Sequence, residues 1–239
     1  MQEKHLASSG RIASVRIGAQ HIVLFHHFRR FLLAASDSGI DVAPLKGAHL
    51  LTSVYLSDED RGFLADIDFL VKPGDWGRTC ELLQGQGFVR VPIPRRPVSE
   101  KQGYEADFAL ELPGGHRVQF EPHRYLIQPA RHPLDYDALW DRSVPSSFDG
   151  APCRRLAAED HLLHAAIHMA HHFFNEPARM LHDIELLVSR GGVDLEMVAV
   201  RAREWQCART AWLVLTLLHE TAPHLGAERF AERLAPPAP

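Results

Sequence analysis

The chain has 239 residues, 46% hydrophobic and 23% charged, an ordinary balance for one large globular domain or two smaller ones. A net charge of −4 excludes the strongly basic surface that bulk nucleic-acid or anionic-membrane binding requires, so neither partner is expected. Cys80, Cys153 and Cys207, odd in number and widely spaced, exclude a disulfide framework and a zinc knuckle.

Residues 11–38 repeat apolar side chains at spacings of three and four (Ile12, Val15, Ala19, Ile22, Phe25, Phe28, Leu32), which predicts an amphipathic helix ending at Gly39. A short strand follows over residues 41–45 and a short helix over 47–56. Residues 67–71 read as a strand, and the turn at Pro73-Gly74-Asp75 opens a helix that runs to about residue 84. A further strand covers residues 88–91. The segment 92–97, rich in proline and arginine, is expected as a mobile lid loop. Residues 104–111 and 116–121 alternate apolar and polar around Leu112-Pro113-Gly114-Gly115, a hairpin signal. Residues 129–152 are expected as loop. From residue 157 the pattern is helical: 157–174, 177–189, 194–205, 209–219 and a last turn near 227–234.

The layout predicts an α+β chain in which a small mixed β-sheet core with flanking helices is followed by a C-terminal helical bundle. The expected domains are an N-terminal helix packing on the core (1–40), an α/β domain (41–150) and a helical domain (151–239). The first residues carry no signal-peptide pattern, and no apolar run approaches the ~20 residues of a membrane helix, so a cytoplasmic protein is expected.

The chemistry concentrates at Asp66-Ile67-Asp68. In a strand, residues i and i+2 share a face, so the two carboxylates stand side by side while Ile67 points into the core. Like charges that close call for a cation between them, and oxygen ligands suit Mg²⁺ or Mn²⁺. Glu121, at the end of the second hairpin strand, is the candidate third carboxylate. Upstream, Lys46-Gly47-Ala48 opens a helix, where backbone N–H groups and a lysine can meet a phosphate. His161, His164, His168 and His172 fall along one helix face. That spacing can bind zinc, but no His-Glu-x-x-His motif and no further carboxylate or cysteine is positioned to finish a site, so a structural or substrate-lining face is expected.

These features together resemble the uncharacterised nucleotidyltransferase family of the polymerase-β-like superfamily. The resemblance rests on Leu45-Lys46-Gly47, Arg61, Asp66-Ile67-Asp68-Phe69-Leu70-Val71, Gly87-Phe88, Glu121-Pro122-His123, His164 with His168, and Arg179 with Asp183-Ile184. It spans about residues 40–190. The better-known members of the superfamily have Gly-Ser at the phosphate loop, where this chain has Gly47-Ala48 and supplies no hydroxyl, and an aspartate where it has Glu121.

The resemblance implies transfer of a nucleoside monophosphate, with ATP the expected donor and AMP the expected group, to an acceptor that is a small molecule or a protein. Asp66, Asp68 and Glu121 are the implied catalytic residues and ligands of Mg²⁺ or Mn²⁺. Lys46, Gly47, Ala48, Arg61 and His123 are the implied nucleotide-binding residues. Two rival readings stand beside it. One is a catalytically weak, antitoxin-like member of the same fold that binds a protein partner through its C-terminal helices. The other is a metallohydrolase centred on His164, His168 and His172.

Overall fold

The computed structural model describes residues 2–92, 103–129, 131–172, 174–175 and 177–236. The lid expected over 92–97 falls outside them except for Pro92. The chain forms two compact units, Met1–Arg124 with Pro145–Arg154, and Tyr125–Val144 with Arg155–Pro239.

The first unit opens with α1 (Gln2–Asp37), which continues into β1 (Val42–Pro44), α2 (Lys46–Ser53), α3 (Asp58–Arg61), β2 (Ile67–Val71), α4 (Trp76–Gly85), β3 (Val89–Val91), β4 (Asp107–Glu111) and β5 (Arg117–His123). The strands form one sheet in the order β1-β2-β5-β4-β3. Only β2 and β5 run parallel; the other neighbours are antiparallel.

Strand alternation sends Ile67, Phe69, Val71, Phe108, Val118 and Phe120 to one face of this sheet, where α1 covers them. Phe28 and Phe31 of α1 are fully buried against that face, with Phe28 5.4 Å from Phe69 and Phe31 4.9 Å from it between ring centroids. Phe88 stacks on Phe120 at 4.5 Å. Such a cluster removes several large apolar side chains from water, each contributing about 1.5–3 kcal/mol before entropy is counted. The polar residues of β2 and β5 face the other way, and that division puts carboxylates and core on opposite sides of the same strands.

Residues 129–152, expected as loop, instead contain α5 (Tyr136–Asp141), β6 (Val144–Phe148) and the start of β7 (Ala151–Arg155). Asp135 caps α5 by accepting from the Ala138 N–H at 2.9 Å. Asp149 and Gly150 join the two strands with φ of 47° and 74°, the paired positive values of a tight hairpin turn. Phe148 enters the first unit's core beside Phe25 and Phe28.

The second unit is otherwise helical: α6 (Ala158–His171), α7 (Pro177–Arg190), α8 (Leu195–Glu204), α9 (Ala208–Thr221) and α10 (Glu228–Leu234). Helix α6 packs against α7, α8 and α9. A buried charge network ties the unit together. Asp160 accepts from Arg142 at 2.9 and 3.0 Å and from Arg201 at 3.0 Å, while Glu159 accepts from Arg201 at 2.9 Å and from the Asp194 N–H at 3.1 Å. The α+β fold with a C-terminal helical bundle is as the sequence predicts.

Candidate active site

Antiparallel pairing of β1 with β2 places Pro44 opposite Phe69, and the Leu45 N–H then bonds the Asp68 carbonyl at 2.9 Å. Lys46 follows directly, so its side chain starts beside Asp68. Its ammonium lies 2.5 Å from Asp68 Oδ1 and 3.8 Å from Glu121 Oε2. Lys46 also has a φ of 42°, a left-handed value that costs a non-glycine residue energy and persists only where surroundings fix it.

Parallel pairing of β2 with β5 sets Asp68 opposite Glu121, so both carboxyls stand on the face away from the aromatic core. His123 is two residues further and shares that face. Its Nε2 lies 3.1 Å from Asp68 Oδ1, and its Nδ1 3.7 Å from Glu105 Oε2. Asp66 lies just before β2, not within it. Ligand atoms of Asp68, Glu121 and His123 all lie within 4.8 Å of one another. Two carboxylates and an imidazole so gathered fit Mg²⁺ or Mn²⁺, the imidazole favouring the latter. Where the sequence suggested three acids, the closest group thus has His123 in the third place, and Asp66 is linked to it through the charges of Asp68 and Lys46.

The electrostatics follow from crowding several charges into a buried corner. Burial opposes the Asp68 charge, but the Lys46 ammonium and the His123 hydrogen bond outweigh it and hold Asp68 well below the usual carboxylate range. Burial, and then the Asp68 charge, push Glu121 up to about 10, and its retained proton is shared with Asp68. Burial and Asp68 likewise push Asp66 up to about 6, against the pull of Lys46. Burial disfavours the Lys46 ammonium too, yet Asp68 and Glu121 more than reverse this and raise its pKa. One cation therefore serves several acids.

Gly47 has a packing role besides any phosphate contact. A Cβ there would stand 2.3 Å from Leu64 Cδ1 and 3.2 Å from Arg61 Cζ. The guanidinium of Arg61 consequently lies against Gly47 in the first turn of α2.

Sequence reasoning passed over Glu105 and Asp107. The register that joins Phe108 to Phe120 and Glu105 to His123 puts Asp107 opposite Glu121, and its charge adds to the upward shift of Asp66. The signal was present: Glu105-Ala106-Asp107 repeats the acid–x–acid spacing of Asp66-Ile67-Asp68.

The histidine helix belongs to the second unit. His161 and His164 are buried, and the rings of His168 and His172 lie 4.3 Å apart. Among the described residues, three metal-ligand atoms converge only at Asp68, Glu121 and His123, so these histidines form no such group. Asp183 is buried on α7, the helix against which α6 packs.

A family model described as an uncharacterised nucleotidyltransferase matches residues 9–223. No functionally curated protein matches the chain. Among solved structures, an antigenic nucleotidyltransferase-like protein from Paracoccidioides brasiliensis is similar at 16% identity and a TM-score of 0.56, covering 88% of this chain and 92% of its own. At that identity the likeness speaks for the fold. The enzyme ANT(2″)-Ia in complex with adenylyl-2″-tobramycin aligns at 12% identity and a TM-score of 0.47, over 76% of this chain and 96% of its own. The solution structure of the antibiotic-resistance factor ANT(2″)-Ia aligns at 14% and 0.47, over 85% and 98%.

Proposed function

The chain belongs to the uncharacterised nucleotidyltransferase family, and from that premise we propose that it moves AMP from ATP to a small-molecule or protein acceptor with the help of Mg²⁺ or Mn²⁺. The observation that carries the reading is the pairing of Asp68 with Glu121 across parallel β2 and β5, with the Lys46 ammonium beside both.

Asp68 and Glu121 would hold the metal, with Asp66 and His123 completing the set. When bound, the ion neutralises charge on the triphosphate and on the attacking oxygen in an in-line displacement that releases pyrophosphate. Before an ion enters, the contact of His123 Nε2 with Asp68 Oδ1 fixes the orientation of the Asp68 carboxyl. Glu121 would serve as a ligand in its carboxylate form, its proton released to solvent, and would there favour the deprotonated acceptor. Lys46 and Arg61, with the backbone N–H groups of Gly47 and Ala48, steady the β- and γ-phosphates at the start of α2.

No helix among the described residues is long and apolar enough to cross a membrane. None of Cys80, Cys153 and Cys207 is in a disulfide, which supports a reducing, cytoplasmic setting.

The test is pyrophosphate release from each of the four nucleoside triphosphates, with Mg²⁺ or Mn²⁺ and a cell extract as source of acceptor. Wild-type protein releases pyrophosphate and transfers label from α-labelled ATP, and Asp68→Asn does not. Equal turnover by the two proteins defeats the assignment.

A further inference from the structure

A half-buried cation already sits where the acids converge. The Lys46 ammonium lies 2.5 Å from Asp68 Oδ1, and Asp68 Oδ1 is also the atom that faces His123 Nε2 at 3.1 Å. The same ammonium reaches Glu121 Oε2 at 3.8 Å. Two of the three residues that bring ligand atoms within 4.8 Å of one another are therefore in contact with Lys46. A metal ion drawn to Asp68 and Glu121 competes with the ammonium for the same oxygens, because two cations at that separation repel and one oxygen cannot serve both fully.

The backbone keeps the lysine there. Leu45 is bonded to the Asp68 carbonyl, and Lys46 adopts a φ of 42° at the first turn of α2. A strained residue held in place at a cluster of charges points to a role in the site rather than to an accident of the loop. Its four-carbon stem leaves the head free to swing between anions without moving the backbone.

Building on the nucleotidyltransfer reading, we propose that Lys46 is a resident counter-ion of the metal position: it holds Asp68 and Glu121 in place of a divalent ion and must withdraw for that ion to settle. Metal alone then binds weakly. A triphosphate offers the displaced ammonium a new anion beside the start of α2, so the ion and the nucleotide enter together. Lys46 thereby acts twice, as a place-holder before loading and as a phosphate ligand afterwards.

The test measures Mn²⁺ binding to nucleotide-free protein by electron paramagnetic resonance, with no turnover involved. Lys46→Met should bind Mn²⁺ about tenfold more tightly than wild type, because the acids lose their internal partner. Lys46→Gly, which accepts the positive φ without strain, should do the same and guards against a misfolded methionine variant. Lys72→Met removes an equal charge from an ion pair with Asp41 and should leave the affinity within about twofold, which controls for net charge alone. If Lys46→Met and Lys46→Gly are folded and bind Mn²⁺ no better than wild type, while Asp68→Asn binds none, the counter-ion role is wrong and the metal site stands. If none of the proteins binds Mn²⁺, with or without ATP, the metal-dependent reading itself fails and this inference goes with it.

Discussion

At Asp68 two opposing effects meet, and their balance decides what a mutation does. Burial alone would favour a neutral carboxyl, yet Lys46 and His123 keep it charged. Asp68→Asn removes that charge with little change of size. Losing the group that positions a metal against a reacting phosphate should lower turnover by about two orders of magnitude or more. The same change strips Lys46 of its nearest anion, and breaking a buried pair costs about 3 kcal/mol. The variant should therefore melt at a lower temperature while keeping its circular dichroism; an unchanged melting temperature would mean that the Lys46–Asp68 contact contributes nothing to stability. Glu121 makes the opposite case. Its folded pKa is pushed up to about 10 by burial and by Asp68, against an ordinary 4.5. The folded protein thus keeps a proton that the unfolded chain releases. The contribution is fully present below about pH 4.5 and is lost as pH rises toward 10. Glu121→Gln, fixed neutral, escapes the loss. In EDTA, the melting temperature of Glu121→Gln minus that of wild type should increase steadily from pH 5 to pH 9. A difference that stays flat over that range contradicts the shift.

Among elements, the strand-to-helix junction at the start of α2 shows how packing and chemistry share residues. Gly47 admits Leu64 and Arg61 to within contact of the backbone, and a methyl group there meets Leu64 Cδ1 at 2.3 Å. Gly47→Ala should destabilise the protein by about 1–3 kcal/mol through overpacking. Leu64→Ala in the same chain should recover part of that loss, a coupling that thermal or urea melts of the four proteins of the cycle would measure. Additive losses would show that Leu64 is not the obstacle. The junction was legible in the sequence because Leu45-Lys46-Gly47 combines a strand end, a charge and a permissive residue. Asp66-Ile67-Asp68 was legible through its period of two. The extension of β5 was harder to see: Pro122 cannot donate to a ladder and argues against a central strand, yet its carbonyl accepts from Ala106 and carries the sheet on to His123. The hairpin of β6 and β7 was hidden by Pro145, Ser146, Ser147 and Pro152, although Asp149-Gly150 is a strong turn signal. Glu105 and Asp107 carried an acid–x–acid spacing, but only the pairing of β4 with β5 brings them alongside His123 and Glu121. Tertiary register, which no local pattern encodes, decided these cases.

Across the whole molecule, the residues assigned to the site all lie in the first unit, whereas a separate buried charge network lies in the second. Arg201 is the hub of that network, donating to Glu159 and Asp160 from one side while Arg142 holds Asp160 from another. Burial already raises the Asp160 pKa, and the two arginines pull it back. Arg201→Met preserves the stem's packing but leaves Glu159 without its arginine and Asp160 with one instead of two. Removing one partner from a buried pair costs about 3–5 kcal/mol, because the remaining charge is stranded away from water. A clear drop in melting temperature should follow. Mn²⁺ affinity, measured well below that transition, should stay within about twofold of wild type, because its ligands Asp68, Glu121 and His123 are fixed by β2 and β5. Calorimetry and paramagnetic resonance on the same preparation give both quantities. If metal affinity falls together with stability, the site depends on the helical unit, and its assignment to the sheet unit alone has to be abandoned.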